Sequence, residues 1–311
     1  MRVLLAGATG AIGRPLLKRL LAAGHEVVAT TRSAESAEQL TAQGAEGVVL
    51  DAFDAEAVHR VVGEARPEVV LHQLTSLPAD ISPKAMKASI AVTNKLRRVT
   101  VPTFVNAARE AGARRIVVQS ISFVTEPTGP AVVDETAPLW TNGPRDIEPV
   151  IQTISDMERA ALSVEGIETL VLRYGFFYGP GTWYDREGTM GRMIAKRQYP
   201  MFGDSGGVWS WIHVDDAADA TVRALDRGEP GVYNITDDEP VALSEWLPVV
   251  VDALGAKPPR RLPTWLVRRV AGNAVVYYGT MLRGASNAKA RAALGYEPRP
   301  WREALPEAFR A

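Results

Sequence analysis

Three glycines at a three-residue period, Gly7, Gly10 and Gly13, follow the apolar run 3–6, and such a set can cradle a diphosphate. The first glycine lets the chain turn sharply off a strand, and the second lets the backbone approach a pyrophosphate. The third lets a helix pack tightly on that strand. Thr9, Ala11 and Ile12 complete the loop, and residues 15–23 read as an amphipathic helix. The unpaired N–H groups and positive dipole end at the start of that helix stabilise an anion. A turn that binds nothing is the plain alternative, and the strand–loop–helix context weighs against it.

A second group of residues bears on which dinucleotide would fit. In a doubly wound sheet the tip of the second strand meets the adenosine ribose, where an acid accepts from the 2′-hydroxyl of NAD. Here that strand, 26–30, runs into Thr31-Arg32-Ser33 with no acid at the tip. A guanidinium at Arg32 can pair bidentately with a 2′-phosphate, and Ser33 adds a hydroxyl. NADP is therefore the expected cofactor, with NAD as the alternative if Arg32 is only a solvated surface side chain. Asp51, after the third strand, is placed either to hold the adenine amino group or to cap the following helix.

The elements that position these residues alternate. Apolar runs at 26–30, 47–50, 69–72, 115–120 and 169–173 predict strands, and 33–43, 54–65, 85–111 and 150–164 predict helices. That alternation implies βαβ units and a parallel sheet, an α/β fold of the Rossmann type. After Tyr174 glycine, proline and tryptophan become frequent, with a helix at 215–227, a strand at 232–235 and a helix at 244–254. The last segment, 286–311, reads as partly helical. We expect a dinucleotide-binding domain at 1–175 to which 213–236 returns, and a smaller substrate-binding lobe from 176–212 and 237–311.

Composition narrows the function. With 35 basic and 36 acidic residues the net charge of −1 attracts neither nucleic acid nor an anionic membrane. No run is long enough to span a bilayer, and the apolar start at 3–5 is cut short by glycines, so a cytoplasmic protein is expected. The absence of cysteine excludes disulfides and thiolate catalysis, and four scattered histidines leave no expected metal site.

The chain resembles the extended short-chain dehydrogenase/reductase family, the NAD(P)-dependent epimerase/dehydratase group. The resemblance rests on Gly7-x-x-Gly10-x-x-Gly13, Asp51, the fourth strand ending in His72, Ser120-Ile-Ser122, and the segment from Leu172 through Tyr178-Gly-Pro-Gly181. Further along it rests on Trp211-Ile-His-Val-Asp-Asp216, Gly231-Val-Tyr-Asn-Ile235 and Ser286-Asn-Ala-Lys289. It implies a Rossmann domain with a small C-terminal lobe, and places Ala52, Leu74, Thr75, Ser120, Tyr174, Phe176 and Phe177 beside the cofactor. It also implies a homodimer through the helices 85–111 and 150–164.

In that family a Ser or Thr and a Tyr-x-x-x-Lys pair carry catalysis. The tyrosine is the acid or base at the substrate oxygen, and the lysine lowers its pKa. Ser122 matches the serine. The pair is missing: aligning Glu158-Arg159 with the family's Glu-Arg puts Val150 at the tyrosine and Ile154 at the lysine. No Tyr-x-x-x-Lys occurs anywhere in the chain. Substitutes within reach are Tyr178, Tyr174, Tyr184, Gln152 and His72. Tyr178 is the first choice of acid, because the family lays this loop over the substrate cleft; a packed structural tyrosine is the alternative.

A second departure concerns the substrate. Family members acting on nucleotide sugars carry a diphosphate-clamping arginine where this chain has Trp209. An indole offers a flat apolar face instead. With Trp183, Tyr184, Phe176 and Phe177 nearby, an uncharged, partly hydrophobic small molecule is expected, unless these rings only fill the lobe. The expectation is NADP(H)-dependent reduction or oxidation of a carbonyl or hydroxyl compound with a non-standard proton donor. A redox-inactive dinucleotide sensor, and a non-redox isomerase, lyase or cyclase retaining the cofactor, are the competing readings.

Overall fold

The computed structural model describes residues 1–78 and 82–310, and among them the centre is a seven-stranded parallel sheet. Its strands are β1 (Arg2–Ala6), β2 (Glu26–Thr31), β3 (Glu46–Val49), β4 (Val69–His72), β5 (Arg115–Ile121), β7 (Glu168–Tyr174) and β12 (Gly231–Ile235). They lie in the order β12-β7-β5-β4-β1-β2-β3. The chain turns back on itself at β1, which pairs with β2 on one side and β4 on the other. The crevice at the carboxyl ends of β1 and β4 is where ligands bind in such sheets.

Helices cover both faces, which is why the strands read as unbroken apolar runs. Alternate residues point to opposite sides. Val3 and Leu5 pack with Leu16, Leu17 and Leu20 of α1 (Gly13–Ala22), Leu40 of α2 (Ala34–Ala42) and Ala217 of α7 (Val214–Arg223). Leu4 and Ala6 pack with Val58 and Val62 of α3 (Ala55–Ala65), Phe104 of α4 (Pro83–Glu110) and Met157 of α5 (Glu148–Leu162).

The rest of the chain builds an aromatic body beside the sheet. Short pairs tie it together: β8 (Phe176–Tyr178) with β11 (Trp211–His213), β9 (Met201–Phe202) with β14 (Arg261–Leu262), β10 (Val208–Trp209) with β13 (Val241–Ala242), and β6 (Val132–Val133) with β15 (Gly284–Ala285). Its core holds Trp209, Trp211, Trp246 and Trp301 with Tyr178, Tyr184 and Tyr277. They are contributed by these strands, α8 (Leu243–Ala253), α9 (Thr264–Thr280) and α11 (Trp301–Arg310), beside α6 (Thr189–Ala195) and α10 (Ala288–Leu294). The helix α9 carries no polar/apolar period clear enough to announce it in sequence. It breaks at Gly272 (φ +88°), where the Asp146 carboxylate accepts from the Asn273 backbone N–H (2.8 Å) and side-chain amide (3.1 Å). That contact aims the second half of α9, with Tyr277 and Tyr278, back toward the sheet. No helix among the described residues is long and apolar enough to cross a membrane.

One buried acid has no counter-charge. Asp237, after β12, is 1% exposed; its Oδ1 accepts only the Glu239 N–H (3.3 Å), and Oδ2 has no partner among the described residues. Burial, followed by the neighbouring acids, pushes its pKa up to about 8. Between the unfolded value of about 3.9 and this folded value, the native state binds the extra proton. Stability therefore falls as pH rises through that window, by up to about 1.4 kcal/mol per pH unit. Asp237→Asn should remove that slope and stabilise the protein at pH 8 relative to wild type, measured by urea unfolding at pH 5, 6.5 and 8; equal pH slopes in the two proteins would contradict this assignment.

Candidate functional site

The glycine loop has the shape its spacing requires. Gly7 has φ +99°, and a Cβ there would lie 2.7 Å from the Gln73 carbonyl oxygen of the strand beside it. A Cβ on Gly13 would lie 2.0 Å from the Gly7 carbonyl oxygen, so only glycine lets α1 start this close to β1. Gly10 N–H donates to Gly7 O (3.1 Å), closing the turn and leaving Thr9, Gly10 and Ala11 exposed while Ile12 is buried. No side chain caps α1 and its first turn holds no acid, so its orphan N–H groups face outward for an anion. Arg14 adds a guanidinium, held by Nε to the Thr9 carbonyl (3.1 Å). A cleft of about 400 Å³ lies here, lined by Thr9, Ala11, Arg14, Pro180, Gly181 and Asp215. Loop, helix end and cleft fit a diphosphate.

The adenosine end is equally legible. Arg32 is exposed just beyond β2, with no hydrogen bond or ion pair among the described residues. Ser33 is committed elsewhere: its Oγ caps α2, accepting from Ser36 N (3.2 Å) and donating to Ser36 Oγ (3.0 Å). Asp51 does not cap α3, a task done by Asp54. The Asp51 carboxylate takes the Phe53 N–H on Oδ1 (3.0 Å) and is otherwise exposed, with Ala52 packed beneath it. Leu74 and Thr75 follow β4 at the crevice mouth, half-buried and exposed.

Several expected side chains point elsewhere. The Ser120 hydroxyl donates to Glu158 Oε1 (2.6 Å) inside the protein and does not reach the crevice. Tyr174 is buried with its hydroxyl 2.7 Å from Thr221 Oγ1 on α7, within the sheet–helix core. Phe177 packs in the same core, 5.3 Å from the Tyr174 ring. Tyr178, the expected acid, is 0% exposed, edge-on to His213 (5.2 Å) and Trp211 (6.2 Å), and its hydroxyl has no partner among the described residues. Burial, then the charges of Asp237 and Asp216, push its phenol well above the ordinary value, which opposes ionisation. His72 is also sequestered, 2.8 Å from Thr100 Oγ1, and burial lowers its pKa to about 4.

Tyr184 and Trp209 are core residues of the aromatic body rather than free walls of a pocket. Tyr184 packs edge-on against Trp211 (4.9 Å), and Trp209 Nε1 donates to the Tyr278 carbonyl (2.8 Å). Trp183 is half-buried and donates to the Pro78 carbonyl (2.9 Å), bridging to the loop after β4. A three-ring stack runs from this core out to the partly buried Phe123 and Phe176. Phe123 lies 4.0 Å from Phe176, and Phe176 lies 3.9 Å from Trp209. Tyr278 meets both phenylalanines edge-on at 6.0 Å. Beside Phe123, Ser122 donates its N–H to the Tyr174 carbonyl (3.0 Å), and its buried Oγ has no partner among the described residues.

The helix on which the resemblance expects a phenol and an ammonium carries Val150 and Ile154 at those positions. Ile154 is 0% exposed, and it and Val150 pack with Val124, Leu139 and Trp140. The segment between β5 and α5 is folded down onto them by backbone bonds from Trp140 N to Val124 O (2.9 Å) and Glu126 N to Pro138 O (2.9 Å). Gln152, on the same helix, bonds Asp156 (3.1 Å) at the surface.

The model of the NAD dependent epimerase/dehydratase family matches residues 3–236. The chain belongs to that family. It is accordingly an enzyme of the NAD(P)-dependent oxidoreductase/epimerase type, and its cofactor is a nicotinamide dinucleotide. It is 44% identical over 313 residues to a 3-diazoavenalumate denitrifying reductase of a Streptomyces species, covering 98% of this chain and 99% of that one. A Stigmatella aurantiaca 4-hydroxy-2-methyl-3-oxo-4-farnesyl-3,4-dihydroquinoline-1-oxide ketoreductase is 30% identical over 83% of this chain and 74% of its own length. The crystal structure of the Thermus thermophilus UDP-glucose 4-epimerase complexed with NAD is similar in fold, with TM-score 0.73, 27% identity and coverage of 100% and 99%.

Two residues with unusual surroundings escaped the sequence reading. Arg97 on α4 is 6% exposed and its Nε has no partner among the described residues. Tyr278 comes from α9, over a hundred positions beyond the helix in which an acid was sought. The signal available was negative only: an arginine and a tyrosine in helices whose neighbours are apolar. Restoring a cation at the expected place should fail. Ile154→Lys buries an unpaired ammonium and should destabilise the protein by about 3 kcal/mol or more, read from denaturant midpoints; a stable, folded Ile154→Lys protein would show that this face of α5 is open.

Proposed function

We propose that this enzyme is an NADP(H)-dependent reductase of a small, uncharged, partly aromatic compound. The observation that carries the reading is the partly buried Phe123–Phe176 ring pair, backed from the core by the Trp209 indole that stands where a guanidinium would clamp a nucleotide-sugar diphosphate. The names of the two relatives support it, since both are reductases and neither name contains a nucleotide sugar. Arg32, exposed at the β2 tip and unpaired among the described residues, supports NADP over NAD. When bound, the reduced nicotinamide supplies a hydride.

In this reading Ser122, whose buried Oγ has no partner among the described residues, hydrogen-bonds the substrate oxygen, while the ring stack orients the substrate and excludes water. The residues 176–212 and 237–311 form the lobe that closes over it in this reading. A homodimer through α4 and α5, which leave Val92, Val99 and Leu162 exposed, belongs to the same proposal.

A second reading of the acceptor is favoured by the apolar face of α5 and the diazo relative. Hydride added to the terminal nitrogen of an arenediazonium gives an aryl diazene, which loses N2 and leaves a C–H bond. That sequence needs no acid at a substrate oxygen.

NADPH oxidation followed across aryl aldehydes, aryl ketones, enones, an arenediazonium salt and a nucleotide-linked 4-ketohexose tests both. We expect turnover of aryl substrates and none of the nucleotide-linked ketohexose, with Ser122→Ala lowering kcat/KM for carbonyls about tenfold or more. Tight NADPH binding with no oxidation of any aryl acceptor would favour a dinucleotide sensor. Arg32→Ala should weaken NADP(H) about tenfold and leave NAD(H) within about twofold; equal losses for the two would exclude the assigned role of Arg32.

A further inference from the structure

The charges buried above the sheet do not cancel. Glu158 of α5 is held by Arg173 of β7, Nε to Oε1 at 2.9 Å and Nη2 to Oε2 at 2.5 Å, and also takes the Ser120 hydroxyl. Its charge is thus already matched. Arg97 brings a second guanidinium into the same region, buried and with an unpartnered Nε among the described residues. The cluster therefore carries one net positive charge, compensated only in part by Glu158. Burial lowers the Arg97 pKa to about 10, with Glu158 and Tyr278 acting in the opposite direction. A buried cation of this kind is stabilised by an anion or by developing negative charge brought to it.

The place where that charge sits is fixed by hydrogen bonds along α4. Thr100 reaches His72 at the end of β4 (2.8 Å), and Thr93 accepts the Ser76 N–H (3.1 Å). Arg97 lies on the turn between them, level with the crevice mouth. Its neighbour Arg98 reaches Thr153 on α5 (3.5 Å), so this turn of α4 lies against the turn of α5 that carries Ile154. Tyr278 lies within electrostatic reach of Arg97; its ring meets Phe123 and Phe176, and burial raises its phenol to about 12, with Arg97 drawing it down.

We propose that Arg97 and Tyr278 form an oxyanion site replacing the phenol–ammonium pair that α5 lacks: Tyr278 Oη donates to the substrate oxygen, and the Arg97 guanidinium stabilises the negative charge. The proposal rests on the reductase reading with a carbonyl acceptor. As the carbonyl carbon takes hydride from the reduced dinucleotide, the C=O pair moves to oxygen. That oxygen takes the Tyr278 proton, and the phenolate, held beside Arg97, is reprotonated from water. The cation thus comes from α4 instead of α5, and the phenol from α9.

Binding of 4-nitrophenol to the protein saturated with NADP+, titrated across the phenol's own pKa, tests the site without turnover. Nitrobenzene serves as the uncharged probe. The phenolate should bind more tightly than the phenol. Arg97→Met should weaken phenolate at least about tenfold with nitrobenzene unchanged, and Arg97→Lys should recover part of the loss. Tyr278→Phe should weaken phenolate several-fold and, where an aryl ketone is reduced, lower kcat with KM little changed. Circular dichroism melts identify any variant that fails to fold, and Arg97→Lys then carries the test against wild type.

Unchanged phenolate affinity in folded Arg97→Met, or equal losses for phenolate and nitrobenzene, would overturn the site. A matching loss of NADP+ affinity would overturn it too, by assigning Arg97 to the dinucleotide phosphates. Arg97-dependent phenolate binding in a protein that oxidises no NADPH would uphold the site and defeat the reductase reading.

Discussion

The carboxylate of Glu158 takes two bonds from Arg173 of β7 and one from Ser120 of β5, all three side chains buried. Through it one helix is locked to two adjacent strands at the carboxyl end of the sheet. Removing one partner of such a pair leaves an uncompensated charge in the interior, a cost of about 3–5 kcal/mol. The position of α5 is therefore held by a charge cluster and does not depend on what its crevice face carries. That separation let Val150 and Ile154 stand where a phenol and an ammonium are expected while the helix kept its place. The same cluster sets the electrostatics of the crevice, because its single carboxylate is spent on Arg173 and Arg97 is left over.

The apolar face of α5 engages the neighbouring chain as well. The segment after β5 folds onto it, with Val124, Leu139 and Trp140 sealing Ile154 from water. The hydrophobic effect favours that closure, and an ammonium at the same place would forbid it. Next to that sealed segment Phe123 stacks on Phe176, so the apolar face of α5 and the ring stack adjoin one another. The stack continues through Trp209 into the body of tryptophans and tyrosines that α8, α9 and α11 complete.

How much of this was legible in the chain depends on whether a residue acts through its backbone position or through the direction of its side chain. The glycine loop was readable because Gly7 and Gly13 are required by backbone clearance, which spacing alone specifies. The strands were readable because both faces of the sheet are covered. Tyr178, Tyr174 and Ser120 were misplaced for one shared reason: all sit on or next to strands, where adjacent side chains point to opposite sides. Nothing local says which side faces the crevice. Trp209 and Tyr184 were expected as pocket walls because aromatic content identifies a pocket and a core equally well. Arg97 and Tyr278 were out of reach because a kink at Gly272, held by Asp146 from a distant loop, aims one of them, and a crossing of α4 over α5 places the other.

The choice of arginine for the displaced cation has a physical consequence. A buried ammonium loses its proton more readily, and the burial that lowers Arg97 to about 10 would leave a lysine, from its lower starting value, less completely charged. A guanidinium depressed to the same degree stays charged across the physiological range. Its planar fork offers several donors in one plane, with Nε unpartnered among the described residues, so in the proposed site one side chain can act on Tyr278 and on a substrate oxygen together. Moving the cation from a helix where it could meet water to one where it is sealed therefore demands the residue type found at position 97.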